Sequence, residues 1–126
     1  MEIIGIGTDI IEISRIQHLL LNFKDRFVNK IFLQSEEEYC TKKRYPEIHF
    51  AGKFAGKEAV IKSLDSLLSR ISFKDIEIKN NPNGKPEVFL TDILVQTNKQ
   101  LQDINFEISI SHSQSIANAF VICFRS

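Results

Sequence analysis

One α+β domain spanning residues 1–126 is predicted from three observations. A glycine-punctuated isoleucine run opens the chain, residues 48–68 carry helical periodicity, and residues 106–111 alternate with period two before a second apolar run at 117–124. The length lies within the roughly 100–150 residues common for a single domain. No long repeat, linker or low-complexity tract divides the chain.

Each element has its own signal. Ile3, Ile4, Ile6, Ile10 and Ile11 around Gly5 and Gly7 read as a buried strand, since short β-branched runs with flanking glycines favour strand over helix. Ser14 is a candidate cap for a helix running to about Leu21, with Ile16, Leu19 and Leu20 inward. Phe23, Phe27, Val28 and Ile31 recur at helical spacing and predict a second short helix over 23–32. Ser35 followed by Glu36, Glu37 and Glu38 predicts a further helix start, where the dipole favours acids, and Pro46 is read as ending that segment. Beyond the long helix at 48–68, Ser72–Lys79 alternates as a strand, and Asn80–Pro86 is a turn cluster. Glu87–Leu90 reads as a short strand and Asp92–Leu101 as a weakly patterned helix. The runs at 106–111 and 117–124 predict a hairpin turning around Ser113–Ser115.

Composition excludes several function classes. Lys plus Arg equal Asp plus Glu at 16 each, so the blanket basic character of a non-specific nucleic-acid coat is absent. Cys40 and Cys123 belong to no CxxC pair, which predicts two reduced, buried thiols rather than a disulfide framework or zinc site. The N-terminal segment carries Glu2, Asp9 and Glu12 and lacks a signal peptide's basic start, and no uncharged run approaches the roughly 20 residues that span a bilayer. A cytoplasmic location is expected, with no nucleic-acid or membrane partner.

The central helix carries the first unusual chemistry. At 100° per residue, Phe50, Phe54, Ile61, Leu64 and Leu68 form a core stripe. Gly52, Ala55, Gly56, Ala59 and Ser63 form a second, small-residue face. Two helix-interior glycines cost about 1 kcal/mol each relative to alanine, which points to close approach by another element or a ligand. Glu58 and Lys62 fall in the seam between the two faces and Lys57 within the apolar side, where charge is costly unless paired or bound to a ligand. An i,i+4 Glu58–Lys62 surface pair would explain them without any site. Gly52–Glu58 superficially resembles a phosphate loop, but the spacing is one residue short, Glu58 replaces Ser or Thr, and no strand precedes it.

Two further features stand out. Asp9 interrupts the isoleucine run; it is either an exposed strand end or, should it meet Glu58 in space, half of a hard-oxygen ligand pair suited to Mg²⁺. Ser109, Ser111 and His112 cluster at a strand end, yet Ser–His adjacency in sequence is no nucleophile pair and no oxyanion motif accompanies it.

Taken together, Gly5-Ile6-Gly7-Thr8-Asp9-Ile10 with Glu12 and Arg15, Phe54-Ala55-Gly56-Lys57-Glu58-Ala59 with Lys62, Gly84-Lys85-Pro86 and Ser109-Ile110-Ser111-His112 resemble the short, bacterial-type phosphopantetheinyl transferases, the holo-acyl-carrier-protein synthases. The resemblance covers essentially the whole chain. It implies an antiparallel sheet packed on a long central helix. It also implies transfer of 4′-phosphopantetheine from coenzyme A to a serine of apo acyl carrier protein, releasing 3′,5′-ADP, in fatty acid biosynthesis. By motif, Asp9 and Glu58 would hold Mg²⁺, Glu58 would help deprotonate the serine, and Lys62 would stabilise the leaving phosphate. Lys53, Lys57, Gly84, Lys85, Pro86, Ser111 and His112 would bind coenzyme A. Members of this length resemble homotrimers with active sites at subunit interfaces. Two residues depart from the family pattern: Lys53 stands where Arg is frequent, and Gly56 where Ala is frequent.

Neutral net charge also conceals local patches. Arg15, Lys24, Arg26 and Lys30 face only Asp25 within residues 13–34. A basic surface of this kind would steer the acidic carrier protein that the resemblance implies.

Overall fold

A computed structural model describes all residues 1–126. The chain opens with strand β1 (Glu2–Glu12), which passes directly into helix α1 (Ile13–Ile31). Helices α2 (Gln34–Thr41) and α3 (Pro46–Ser63) follow. A 3₁₀ turn at Phe73–Asp75 leads into β2 (Ile76–Asn80) and β3 (Pro86–Leu90), then the short helix α4 (Asp92–Thr97) and a second 3₁₀ turn at Lys99–Leu101. Strands β4 (Ile104–His112) and β5 (Ile116–Arg125) complete the chain. The sheets are antiparallel: β1-β5-β4 in one, β2-β3 in the other. No helix is long and apolar enough to cross a membrane.

Helix α3 lies at the centre of this α+β arrangement, and its small-residue face is spent inside the chain. Strand alternation turns Gly5, Gly7, Asp9 and Ile11 toward α3. A Cβ on Gly5 would collide with the carbonyl oxygen of Ser63, and one on Gly7 with that of Ala59. The two backbones therefore touch, and only glycine fits β1 there. Across the sheet, β5 meets the same helix with Ala117, Ala119 and Val121, all fully buried. Gly56 accommodates the tip of Ile78, whose Cδ1 would stand 2.5 Å from an added Cβ. The departure from alanine at position 56 thus matches a bulky neighbour on β2.

The remaining faces of α3 are covered by α1, α2 and β2, with Phe50, Val60 and Leu64 fully buried at its surface. Each such side chain contributes about 1.5–3 kcal/mol on burial. Phe32 packs edge-on to Phe50 at 5.0 Å between ring centroids, and Phe54 stacks on Phe73 at 5.6 Å. Cys40 and Cys123 are free and buried, and burial raises their thiol pKa values to about 12 and about 11.

Several boundaries differ from the sequence expectations for identifiable reasons. Ser14 caps nothing: α1 begins at Ile13, whose N–H donates to Ser115 O at 2.9 Å, so the sheet's own ladder supplies the start. The two helices expected over 14–32 are present and meet at a kink at Phe23 (φ −140°, ψ 37°) within Ile13–Ile31. Ser35 lies inside α2, where its hydroxyl donates to Glu77 rather than to the helix end. Pro46 sits at the first turn of α3, where its missing N–H costs nothing, and α2 has already ended at Thr41. Helix α3 stops at Ser63, short of Leu68, and the first half of the expected 72–79 strand is the 3₁₀ turn, closed by Ser72 N–H donating to Asp75. Helix α4 ends at Thr97 rather than Leu101, because Asn98 adopts an extended conformation.

Replacing Gly7 by Ala is expected to cost on the order of 3 kcal/mol, since the obstacle is a carbonyl of the central helix that cannot swing aside. Gly56→Ala, which meets only a side-chain tip, is expected to stay within about 1 kcal/mol of wild type. Urea unfolding midpoints check both, and a Gly7→Ala protein as stable as wild type would overturn the backbone-contact account.

Candidate active site

The contact between β1 and α3 brings three charged residues together. Asp9 lies two positions past Gly7 on the same strand face, and Glu58 immediately precedes Ala59, the residue Gly7 touches. Lys62 follows Glu58 by one helical turn. Its ammonium donates to Thr8 O at 2.8 Å and to Asp9 Oδ1 at 3.3 Å, with side chains 53% and 19% exposed for Lys62 and Asp9. An ion pair this open contributes under about 1 kcal/mol. The lysine thus pairs with Asp9 across the two elements.

Burial pushes the Glu58 carboxyl above its ordinary pKa, and the negative charge of Asp9 adds to that shift while Lys62 opposes it. Two carboxylates and one ammonium leave a net negative corner in which one acid is reluctant to ionise. Hard oxygens of this kind fit Mg²⁺, which typically accepts one or two carboxylates and completes its shell with phosphate oxygens and water. No cluster of three or more Asp, Glu, His or Cys forms anywhere, so a fuller protein cage is absent.

A second feature lies at the other end of α3. A cavity of about 200 Å³ is lined by Tyr39 from α2, His49 and Lys53 from α3, Gly84 and Pro86 from the β2–β3 turn, and His112 at the end of β4. Gly84 holds φ +87°, which glycine adopts freely. Lys53 is 4% exposed. Its ammonium donates to Ile78 O at 2.6 Å and Asn80 Oδ1 at 2.7 Å, and stands 4.7 Å from the Tyr39 ring centroid. Asn80 in turn donates to Gly84 O at 3.0 Å, so Lys53 fixes the turn that forms one cavity wall. Burial pulls the Lys53 pKa down, opposed by the neighbouring Cys40 thiol and the charge of Glu36. In this role a single ammonium substitutes adequately for a guanidinium, because it holds backbone and amide oxygens rather than a bidentate phosphate.

The cavity gathers Lys53, Gly84, Pro86 and His112 from the sequence-derived set, and other members of that set lie elsewhere. Lys57 requires correction. It is fully buried, donates to Ile31 O at 2.9 Å and Phe73 O at 3.0 Å, and pairs with Glu36 at 2.7 Å. All three ammonium protons are engaged within the protein, so no coenzyme can reach it. Lys85 is exposed and faces Glu107 at 3.7 Å, outside the cavity. Ser111 turns to the opposite sheet face from Ile110 and His112 and donates to Asn118 Oδ1 at 2.9 Å. Arg15, Lys24, Arg26 and Lys30 are all exposed on α1, and none forms an ion pair.

Three residues escaped the sequence reading. His49 and Tyr39 line the cavity, and Glu36 is buried as the partner of Lys57. For His49 a signal existed, since it precedes Lys53 by four residues on the same helical face. Glu36 had none, because its second partner is the Ile78 N–H, at 2.7 Å and 42 residues away.

A family model described as the 4′-phosphopantetheinyl transferase superfamily matches residues 5–123. The chain is 43% identical over 120 residues to the holo-[acyl-carrier-protein] synthase of Protochlamydia amoebophila, covering 94% of this chain and 96% of that one. The crystal structure of the Bacillus anthracis holo-(acyl-carrier-protein) synthase in complex with CoA (3′,5′-ADP) superposes with a TM-score of 0.81 at 32% identity, over 100% of both chains. The Neisseria meningitidis enzyme superposes with a TM-score of 0.85 at 30% identity, over 98% of this chain and 99% of that one. The chain belongs to the 4′-phosphopantetheinyl transferase superfamily and is a transferase.

A carboxyl whose folded pKa exceeds its unfolded one adds stability that is fully present below the unfolded value and lost as pH rises through the folded value. Ionised Glu58 therefore weakens the fold at neutral pH. Glu58→Gln is expected to raise Tm at pH 7, with the advantage vanishing near pH 4, as thermal melts at the two pH values would read. An equal Tm offset at both would remove the charge-repulsion account.

Proposed function

We propose that this chain transfers 4′-phosphopantetheine from coenzyme A to a serine hydroxyl of an apo acyl carrier protein, releasing 3′,5′-ADP, as one catalytic domain over residues 1–126 serving fatty acid biosynthesis. The observation that carries the reading is the Asp9–Glu58–Lys62 corner: two carboxylates and an ammonium held by a backbone contact, in a family whose Bacillus anthracis member binds CoA (3′,5′-ADP).

The reaction forms a bond between the serine oxygen and the pantetheine-bearing phosphorus and breaks that phosphorus's bond to the bridging oxygen of the pyrophosphate. The leaving group is 3′,5′-ADP. Glu58 is placed beside Asp9 to accept the serine proton, directly or through one water. Lys62 projects its ammonium beside Asp9, where it offsets charge developing on the departing phosphate. Asp9 and Glu58 are the residues that would hold Mg²⁺, which supplies charge neutralisation on the pyrophosphate when bound. His112, Gly84 and Pro86 line the coenzyme cavity, whose turn Lys53 shapes.

The corner and the cavity are lined by separate residues, and neither Asp9, Glu58 nor Lys62 reaches the cavity wall. A homotrimer with interfacial sites accounts for this, each coenzyme spanning the corner of one chain and the cavity of a neighbour. The outer face of the β1-β5-β4 sheet supports such an assembly, since Ile6, Ile10 and Phe120 stand 56%, 65% and 42% exposed there. The free, buried cysteines suit a reducing cytoplasm. Helix α1 carries exposed Arg15, Lys24, Arg26 and Lys30 together with exposed Leu21 and Phe23, which fits an acidic carrier with an apolar contact.

Asp9→Ala and Glu58→Ala are each expected to lower Mg²⁺-dependent modification of apo carrier on the order of 10²–10³-fold with the far-ultraviolet spectrum unchanged. Mass spectrometry of the carrier reads the added phosphopantetheine, and full modification by both variants would sink the assignment. Reversing Arg15 or Arg26 to Glu is expected to weaken carrier binding roughly five- to tenfold at low salt. The loss fades as ionic strength rises, and coenzyme A binding is unaffected. Carrier affinity indifferent to both reversals would make this face mere solvated surface.

A further inference from the structure

The cavity wall holds no Asp or Glu, although such residues make up 16 of the chain's 126. It holds instead one buried ammonium and two imidazoles. Lys53 is committed: two of its donors serve Ile78 O and Asn80 Oδ1, and the third direction faces the Tyr39 ring. His112 keeps one ring nitrogen beside Ser113 O at 3.1 Å, which leaves the other free. His49 has no hydrogen-bond partner on either nitrogen, and it is half-buried with its ring edge-on to Tyr39 at 5.9 Å. Its nitrogens are thus the least committed polar atoms of a cavity otherwise organised by fixed contacts.

We propose that His49 is a further ligand-binding residue of this cavity, donating to a phosphate group of the coenzyme and taking up a proton from solvent as that phosphate enters. The inference rests on the coenzyme reading of the cavity and adds to it a residue and a proton. Its basis is the set of charges around the ring. Lys43, just beyond α2, stands over the Tyr39 ring at 4.5 Å, Lys53 lies one turn along α3, and His112 lines the same cavity from the end of β4. Glu47, on the helix's first turn, is the one opposing charge.

Burial, followed by Lys43, His112 and Lys53, pulls the His49 pKa below its ordinary value, so the free imidazole is neutral at pH 7. A phosphate in the cavity reverses the sign of the local field. The imidazolium then becomes the favoured form and supplies an N–H donor. Binding consumes a proton, and affinity rises as pH falls from 8 toward 6.

The test is calorimetric titration of the intact protein with 3′,5′-ADP, in buffers of differing ionisation enthalpy, for wild type, His49→Gln and His49→Phe. Phenylalanine preserves the ring contact with Tyr39 but cannot take a proton, which separates charge from packing. Both variants are expected to bind like wild type within about twofold at pH 8. At pH 6 they bind roughly three- to tenfold more weakly, with proton uptake reduced below that of wild type. The ligand's own phosphate ionisation is common to all three proteins and cancels. Wild-type uptake retained in both variants would overturn the role of His49 while leaving the cavity as the coenzyme site. Failure of wild type to bind 3′,5′-ADP at all would overturn the cavity assignment and the inference together. Adenosine, lacking phosphate, is expected to show no pH dependence, and a dependence equal to that of 3′,5′-ADP would also refute the proposal.

Discussion

The backbone contact between β1 and α3 is the constraint from which the active corner follows. Gly5 and Gly7 let the strand lie against the carbonyls of Ser63 and Ala59, and any side chain at either position would force the two elements apart. Because side chains alternate along a strand, the next residue on that face is Asp9, delivered to the helix beside Glu58 and Lys62. Ile11, buried on the same face, anchors the strand, while the glycines themselves set a separation too small for ordinary core packing. An aspartate on such a strand is costly in isolation. Lys62 and partial exposure offset that cost.

The opposite side of α3 is fixed by a different device. Lys57 reaches across to the last carbonyl of α1 and the carbonyl of Phe73, while Glu36 binds Lys57, its own helix start at Leu33 N–H, and the Ile78 N–H of β2. One ion pair thus ties four segments to the central helix with every polar atom satisfied. Such a pair adds little net stability over an apolar replacement, yet removing one partner strands a buried charge at about 3–5 kcal/mol. Its consequence is geometric: it sets the rotation of α3 about its axis. With Lys57 turned inward, Glu58 is left in the seam facing β1. Lys53, one turn earlier, is directed to the β2–β3 turn.

The distinction between these two lysines marks where sequence ceases to be legible. The strand of the isoleucine–glycine run, the central helix, the C-terminal hairpin and the seam position of Glu58 all follow from periodicity, which is local; the burial expected of Ile3, Ile6 and Ile10 does not, since all three are exposed. The small-residue face was visible as an oddity, but its partner was not, since periodicity says that something approaches closely without saying what. A charge on an apolar stripe needs a pairing partner or a ligand, and for Lys57 the family motif pointed to the ligand. The compensating Glu36 lies on another helix and in no fixed relation of spacing. Capping was misread too: Ser14 and Ser35 are chemically able to cap, yet the first N–H of α1 is taken by the distant Ser115 O, and Ser35 spends its hydroxyl on the distant Glu77 while Glu36 accepts from the Leu33 N–H at the start of α2. His49 is the instructive intermediate case. Its helical phase with Lys53 was available, but only the cavity gave that phase meaning.

The separation of corner and cavity along α3 also bears on why the chain leaves an apolar sheet face uncovered. Lys53 and Glu58 are five residues apart, about 7.5 Å along the axis and on different sides of the helix. A coenzyme held by both ends of one helix would have to wrap around it, through elements that bury α3 on nearly every side. Under the proposed trimer, a second chain would remove the difficulty by placing its own cavity against this chain's corner. Strand β1 then carries both requirements in its two faces. Gly7 and Asp9 point inward to build the corner, while Ile6 and Ile10 point outward to a surface that a neighbour can cover. In that arrangement alternation in one strand would couple assembly to catalysis, because shifting its register by a single residue would bury the isoleucines and expose the carboxylate.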